Sequence, residues 1–364
     1  MKNISFSRNM LGLFFGLSAG AALTGAPFVC AAPAAKKPAR KSAKTVAKPR
    51  LIREVLGTEQ LQGYEGVLGQ TFTVGKSSPI NFTLKKVEYS ANRVNIGTYS
   101  HLPKGDEKML VLHFTVQNPQ KTAMTYISGF LLFKAVDASG VTRDFVGETA
   151  REVTGEAINF QLQPGQKVEG YTAVRVSAFG EVPKLIVQSY YERQGPIVRY
   201  DLRGKAGKLG APYADPADKK GATLRKMVPA KVGTFYPVTD LFDVCIDKVS
   251  YSTDALASRE PGTGKRYVIA NATLKNRAPR AVRYSQSYFR ADLKDADGEK
   301  TDYNTSILKG SRDEEAGAEL LPGEEARIRF YWVLPDNVEA KTVLLQYGYD
   351  RESRTFAVDV AGAK

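Results

Sequence analysis

The chain contains two copies of one long pattern, and this duplication constrains its fold more than any other feature. The related pairs are residues 69–90 with 233–252, 108–118 with 266–276, and 162–166 with 320–324. The last two pairs share one offset of 158 residues. Solenoid repeats are about 20–50 residues long, so a repeat of this length indicates two copies of a whole domain.

Within each copy the sequence predicts short β-strands separated by turn residues. Outside the N-terminal region, no window of helical length is amphipathic, which favours a sandwich or barrel. Alternation in one strand of each copy predicts an inward face and a half-solvated outward face. The predicted inward residues are Leu110, Leu112, Phe114 and Val116 in the first copy, and Val268, Ala270, Ala272 and Leu274 in the second.

The two copies also share irregularities and turns. The inward parity slips by one residue after Leu84 and again after Ile246, which predicts a β-bulge at the same place in both copies. Residues 137–140 (DASG) and 295–298 (DADG) predict hairpin turns, with glycine supplying positive φ. The single tryptophan, Trp332, shares its parity with core residues and is predicted to be buried.

These strand and turn motifs carry a resemblance. In order they are a glycine-led first strand, a Val-x-Tyr-Ser strand, the strand at 266–276, the Asp-Ala-Asp-Gly hairpin and the Leu-Pro-Gly-Glu turn. The chain resembles the immunoglobulin-like family of secreted bacterial domains related to the mycobacterial immunoprotective extracellular antigen. The match covers residues 233–360 well and 66–200 more loosely. The resemblance implies two tandem immunoglobulin-like antiparallel β-sandwiches and an extracytoplasmic location, and it brings no catalytic residues.

The N-terminus predicts export from a bacterial cell. Lys2 and Arg8 precede a short apolar run at residues 10–23, and small residues follow it. The run is shorter than the roughly 20 residues that cross a bilayer, so cleavage after Ala31 or Ala32 is expected. Lipidation at Cys30 is the less favoured alternative. The mature chain is therefore predicted to be secreted, periplasmic or envelope-associated, without a transmembrane segment.

A basic segment rich in Ala, Pro and Lys follows the predicted signal peptide. It carries eight cations and no acidic residue up to position 53, and it contributes most of the net charge of +14. Its composition predicts disorder. It is interpreted either as a spacer or as a tether to an anionic surface such as an envelope polymer or glycan. No nucleic-acid partner is expected, and a protein partner stays open. The candidate tether residues are Lys36, Lys37, Arg40, Lys41, Lys44, Lys48, Arg50 and Arg53.

These observations predict five segments. They are a signal peptide at 1–31, a disordered basic segment at 32–59, a first sandwich at 60–202, a linker at 203–231 and a second sandwich at 232–364. The linker is assigned because it is rich in Gly, Pro, Ala and charge and has no sustained periodicity.

The sequence offers few residues for catalysis or metal binding. It has two histidines, His101 and His113, and no nucleophile-elbow motif. Cys245, the single thiol of the mature chain, is predicted to be an inert group on the polar face of its strand. The acidic group around residues 292–299 fits a hairpin turn better than a calcium loop. No enzyme activity, cofactor or metal is expected.

The predicted function is that of an exported, non-catalytic binding or adhesion module at the cell envelope. The alternatives are a secreted carbohydrate-active or hydrolytic enzyme whose site is assembled only in space, and a structural spacer. Contacts are expected at the loops 92–105 and 254–264. Surface tyrosines suggest a ligand platform, with about half of them in the core. The tyrosines considered are Tyr190, Tyr191, Tyr200, Tyr284, Tyr288, Tyr347 and Tyr349.

Overall fold

The computed structural model describes residues 63–192, 195–302, 307–350 and 352–362. They are built of β-strands and turns, with one 3₁₀ helix at Gln286–Tyr288. The chain is all-β and forms two β-sandwiches, as the sequence predicts. Both sandwiches belong to one compact unit. The predicted signal peptide, and the predicted disordered segment with its eight cations, lie outside the described residues.

The first sandwich contains fourteen strands. They are β1 (Gly63–Gly66), β2 (Thr71–Val74), β3 (Ile80–Ser90), β4 (Val94–Ile96), β5 (Tyr99–His101), β6 (Glu107–Gln117), β7 (Met124–Tyr126), β8 (Leu131–Val136), β9 (Thr142–Asp144), β10 (Ala150–Arg151), β11 (Phe160–Leu162), β12 (Lys167–Ser177), β13 (Lys184–Ser189) and β14 (Ile197–Asp201). Its two main sheets have the orders β1-β14-β13-β8-β9 and β10-β12-β6-β3-β2. The pairs β7–β11 and β4–β5 form small ribbons.

The second sandwich contains twelve strands. They are β15 (Met227–Lys231), β16 (Phe235–Pro237), β17 (Phe242–Ser252), β18 (Lys265–Asn276), β19 (Val282–Tyr284), β20 (Phe289–Asp295), β21 (Lys300–Asp302), β22 (Leu308–Lys309), β23 (Ala318–Leu320), β24 (Glu325–Pro335), β25 (Ala340–Tyr347) and β26 (Thr355–Asp359). Its main sheets have the orders β15-β26-β25-β20-β21 and β16-β17-β18-β24-β22, with β19–β23 as a small ribbon.

Each sandwich has its own hydrophobic core between its two main sheets. All eight residues predicted to face inward on β6 and β18 are buried. Trp332 is buried in the second core, as predicted, and its indole N–H donates to the Ala291 carbonyl at 3.2 Å. Burial of these apolar side chains from both sheets is the main source of stability for a chain with a single, unpaired cysteine in its described part.

The predicted duplicated irregularities are confirmed. The register shifts between Leu84 and Lys86 in the β3–β6 pair, and between Ile246 and Lys248 in the β17–β18 pair. The two predicted hairpin turns also form, because the Asp137 amide donates to Val141 O at 2.9 Å and the Asp295 amide donates to Glu299 O at 3.1 Å. The bulges therefore place Lys85 and Asp247 at equivalent sites on the outer face.

The segment predicted as a linker, residues 203–231, packs as part of both sandwiches. Leu209 and Leu224 are buried in the first core. Residues 227–231 are β15, which pairs in parallel with β26 at the edge of the second sandwich. Its Gly, Pro and charged residues form turns between these anchored positions, which is why no periodicity marks the segment.

Loops cover part of the outer face of one sheet in each sandwich, where the sequence predicts a half-solvated surface. The β4–β5 hairpin buries Val94 and Ile96 against the outward residues Met109 and Val111. In the second sandwich Leu256 packs against Tyr267 in the same way. The sequence predicts ligand contacts at the loops 92–105 and 254–264. Parts of both loops pack against their sheets because they carry these apolar side chains.

Among the described residues, no helix has the length and apolar composition that crossing a bilayer requires.

Candidate functional site

The two sandwiches are joined by arginines that reach across their junction. Arg93 of the first sandwich donates from Nε to Asp240 O at 2.6 Å and from Nη2 to Thr239 O at 2.7 Å. Its Nη1 lies 2.9 Å from Asp243 Oδ1. Asp243 also accepts from Arg277 Nε at 2.7 Å, so its carboxylate is paired on both oxygens. Hydrogen bonds to charged groups in a partly dry junction are among the stronger ones in proteins.

Arg354 of the second sandwich makes the reciprocal contact. Its guanidinium donates to three carbonyls of the first sandwich, those of Ala91 at 2.8 Å, Lys104 at 3.1 Å and Glu107 at 2.9 Å. The side chain is buried, and burial lowers its pKa to about 10. Beside it, the Gly105 amide donates to Glu352 O at 2.8 Å. Both sandwiches therefore donate hydrogen bonds across the junction.

A cleft of about 320 Å³ opens at this junction and is lined by both sandwiches. The loop before β6, the start of β6 and the end of β12 supply one wall, and the β16–β17 turn, the end of β25 and the segment between β25 and β26 supply the other. Its lining residues are Leu102, Pro103, Lys104, Glu107, Arg175, Val238, Thr239, Asp240, Tyr347, Asp350, Ser353 and Arg354.

Arg175 is a cation of the cleft with which no carboxylate pairs within the described residues. Its guanidinium contacts His101, whose Nδ1 lies 3.4 Å from Arg175 Nη2. Burial, together with the Arg175 charge, lowers the pKa of His101. His101 is therefore neutral at pH 7 and leaves the guanidinium charge of Arg175 uncompensated.

Arg354 contributes a second donor to the cleft. Its Nε is enclosed and has no hydrogen-bond partner among the described residues, although its two terminal nitrogens are paired. Lys104, in contrast, is neutralised, because its Nζ lies 2.9 Å from Glu352 Oε2 and 4.0 Å from Asp350 Oδ2. A buried donor that lacks a partner is costly.

Tyrosines form the third element of the cleft. Tyr347 lines it and stacks on Tyr288, with ring centroids 6.1 Å apart. Tyr349, which is 64% exposed, packs edge-on against both rings, and its hydroxyl lies 2.5 Å from Ser287 Oγ. Burial, with Asp240 nearby, raises the pKa of Tyr347 to about 12. These rings form an aromatic edge of the cleft, next to its charged side chains.

The other tyrosines considered from the sequence divide between core and surface. Tyr200 and Tyr284 are buried in the two cores. Tyr190 and Tyr191 are exposed, and Tyr191 packs edge-on against Phe130 with centroids 5.4 Å apart. Only Tyr347, Tyr288 and Tyr349 of the sequence candidates lie at or next to the cleft.

His113 and Cys245 are placed away from the cleft. His113 lies between two carboxylates, with Nδ1 3.0 Å from Glu152 and Nε2 3.2 Å from Glu88. Cys245 was predicted on a polar face, but it is buried, and Phe235 is its register partner on the neighbouring strand. Burial, followed by the nearby Asp247, raises the pKa of its thiol to about 12, so the thiolate is scarce at neutral pH.

The acidic residues of the second hairpin are engaged within the protein. Asp295 accepts the Glu299 amide at 2.8 Å, which closes the turn. Asp292 is paired with Lys300 at 2.6 Å and with Arg290 at 3.2 Å. No group of three or more His, Cys, Asp or Glu side chains in the described part of the chain is arranged to hold a metal ion.

Sequence reasoning missed Arg93, Arg175 and Arg354. Each stands alone among strand or turn residues, and the chain is rich in arginine and lysine, so nothing local distinguishes them. One signal was accessible: Arg175 corresponds to Val333 at the 158-residue offset, so a charge occupies a position that is apolar in the other copy.

No protein-family model matches the sequence, and no curated protein matches it. Among solved structures, the chain is similar to an uncharacterized β-sandwich protein from Clostridium difficile, with 13% identity over 40% of this chain and 97% of that one and a TM-score of 0.30. It is also similar to the secreted protein MPT63 from Mycobacterium tuberculosis, with 15% identity over 38% and 97% of the two chains and a TM-score of 0.28. The YjhA protein from Bacillus subtilis has 16% identity over 36% and 98%, with a TM-score of 0.24. TM-scores of this size carry no conclusion about function.

Proposed function

We propose that this chain is an exported, non-catalytic binding module of the cell envelope that holds an acidic saccharide in the cleft between its sandwiches. The observation that carries the proposal is Arg175, a half-buried guanidinium in the cleft without a carboxylate partner among the described residues. A ligand carboxylate supplies the missing anion. The face of Tyr347 offers apolar contact to a sugar ring.

The location at the envelope rests on the leader sequence and on the resemblance to secreted immunoglobulin-like domains. We also propose a second contact, in which the eight cations of the basic segment tether the protein to anionic envelope material. Deleting residues 32–53 should then reduce retention on such material, most strongly at low salt. Equal retention of the truncated and full-length mature proteins at low salt would remove the tether.

The cleft is tested with small probes that the basic segment does not retain strongly. Galacturonic acid and N-acetylmuramic acid are titrated into the mature protein by calorimetry, with glucose as the uncharged comparison. We expect binding of at least one acid, no binding of glucose, and a loss of tenfold or more in Arg175→Gln. Arg203→Gln is the matched control, because Arg203 is exposed and already paired with Asp201 at 2.8 Å.

Two outcomes would contradict the proposal. If neither acid binds, or if Arg175→Gln binds as tightly as the wild type, the cleft is not a site for an acidic saccharide. The enzymatic alternative is followed in the same samples, since Glu107, Asp240 and Asp350 also line the cleft. Release of reducing sugar from oligogalacturonate or peptidoglycan fragments would show that the protein hydrolyses its ligand, and the binding proposal would then give way to the enzymatic alternative.

A further inference from the structure

The outer face of the β10-β12-β6-β3-β2 sheet is only half covered by the β4–β5 hairpin. The open half forms a groove of about 280 Å³ that crosses strands β2, β3, β6 and β12. It contains no aromatic or aliphatic side chain. Its lining residues are Thr71, Asn81, Thr83, Lys85, Thr115, Gln117, Lys167 and Glu169.

The groove presents hydroxyl and amide groups in rows across the strands. Thr71, Thr83 and Thr115 are register neighbours on three adjacent strands, and the first two hydroxyls lie 2.7 Å apart. The next row contains Asn81 and Gln117, whose amides lie 3.5 Å apart. Groups of this kind both donate and accept hydrogen bonds, as the hydroxyls of a sugar do.

One hydroxyl in the groove lacks a partner. Thr115 Oγ1 is enclosed and makes no hydrogen bond within the described residues. Lys85, the bulge residue beside it, is paired instead with Glu169. An enclosed hydroxyl without a partner is costly. A ligand hydroxyl that reaches Thr115 as the neighbouring side chains rearrange recovers part of this cost.

The second sandwich provides an internal comparison at the same positions. Thr273 is the counterpart of Thr115, and its hydroxyl donates to Asp247 Oδ2 at 2.7 Å. Asp247 occupies the bulge position that Lys85 occupies in the first sandwich. Phe235 stands in place of Thr71, with Lys275 Nζ 5.8 Å from its ring centroid. The hydroxyl of Thr273 in the second sandwich therefore has a partner within the protein, whereas that of Thr115 in the first sandwich has none within the described residues.

We infer that this threonine-lined groove of the first sandwich is a second binding site, which takes an uncharged saccharide chain. The two copies share the bulge, the hairpin turn and the sheet order, so packing alone does not require their surfaces to differ here. Hydroxyl and amide rows dominate the lining, Lys85 is paired with Glu169, and the remaining cation, Lys167, has an exposed side chain. This lining suits neutral hydroxyl groups better than a charged partner. The inference does not depend on the cleft, because no residue lines both.

Affinity electrophoresis of the mature protein through gels containing mannan, laminarin or hydroxyethyl cellulose tests the groove. We expect retardation by at least one polymer, measured as an apparent dissociation constant. Thr71→Phe, which fills the groove as Phe235 does in the second sandwich, should raise the apparent dissociation constant tenfold or more. Thr115→Val, which removes the unpaired hydroxyl and keeps the branched shape, should raise it severalfold.

Matched controls come from the second sandwich and from an exposed arginine. Thr273→Val changes the counterpart hydroxyl and should leave retardation unchanged, as should Arg203→Gln, which changes an exposed side chain that lines neither the cleft nor the groove. Thermal melting shows that each variant is folded. Thr71 is exposed on an edge strand, so its substitution is not expected to prevent folding. The inference is wrong if none of the three polymers retards the wild type, or if folded Thr71→Phe migrates as the wild type does.

Discussion

The guanidinium of Arg93 and the carboxylate of Asp243 lie 2.9 Å apart across the junction of the two sandwiches, with side chains only 8% and 11% exposed. Removing one member of a buried ion pair leaves the other charge uncompensated. The pair therefore links the stabilities of the two sandwiches.

We expect Arg93→Ala to lower the free energy of unfolding by about 3 kcal/mol. The substitution leaves Asp243 without the Arg93 charge and the carbonyls of Thr239 and Asp240 without their hydrogen-bond donor. The change is measured by urea denaturation. Arg203→Ala is the control, because Arg203 and Asp201 form an exposed pair, 68% and 52% accessible, that is screened by water and contributes little to stability. Equal losses in the two variants would show that the junction contact does not stabilise the protein.

Gly105 fixes how closely the sandwiches approach. A Cβ at this position would lie 2.8 Å from Glu352 O and 3.3 Å from Ser353 O, and both are backbone atoms that cannot rotate away. Gly105→Ala should therefore cost about 1–3 kcal/mol. Gly129→Ala is the control, because a Cβ there meets nothing within 4 Å. Calorimetric melting compares the two, and similar melting temperatures would contradict the tight contact.

Lys108 gives the stability a specific pH dependence. Its ammonium is buried and donates to the carbonyls of Gly180 at 2.5 Å and of Ala222. Burial lowers the pKa of Lys108 to about 8, below its ordinary value of 10.5. Between these values the unfolded chain binds more protons than the folded one, so stability rises with pH across this window and is lost as pH falls through about 8.

The measurement for Lys108 is urea denaturation at about pH 7.5 and pH 9.5. From the one-site linkage relation, wild type should gain about 1–2 kcal/mol relative to Lys108→Met over that interval. Lys134→Met should track the wild type, because Lys134 is a partly exposed residue paired with Asp144 at 2.9 Å. Parallel pH profiles for wild type and Lys108→Met would show that Lys108 does not titrate in this range.

Cys245 should be protected from thiol reagents in the folded protein. With the pKa of its thiol raised to about 12, the thiolate fraction at pH 8 is about a thousandfold below that of an exposed cysteine. A variant with Cys30→Ser isolates this thiol. We expect reaction with Ellman's reagent to be slow in buffer and fast in guanidinium chloride. Rapid reaction in buffer would show that Phe235 does not shield it.

The duplicated features were accessible from the sequence because they depend on neighbouring residues. Alternation places Leu110 and Val268 in the cores, and a break in alternation marks both bulges. A positive-φ glycine after a short Asp-led turn marks both hairpins. Each of these patterns spans only a few residues, and each occurs in both copies, so one copy supports the prediction made from the other.

The junction and the cleft were not accessible in this way. Arg93 and Asp243 are 150 residues apart, and neither has a neighbour that marks it as a contact. The burial of Met109 depends on a hairpin that folds back over its strand, which alternation within β6 does not encode. The turn-rich composition of residues 203–226 conceals the two leucines that anchor them to the first core.

The parallel pairing of β15 with β26 has a mechanical consequence. These strands are the first and last of the second sandwich, and five residue pairs hold them side by side. A pull on the chain before residue 227 and after residue 359 acts in opposite directions on strands that run the same way. All five pairs would be sheared together instead of being peeled one by one. The second sandwich is therefore built to resist tension between its ends.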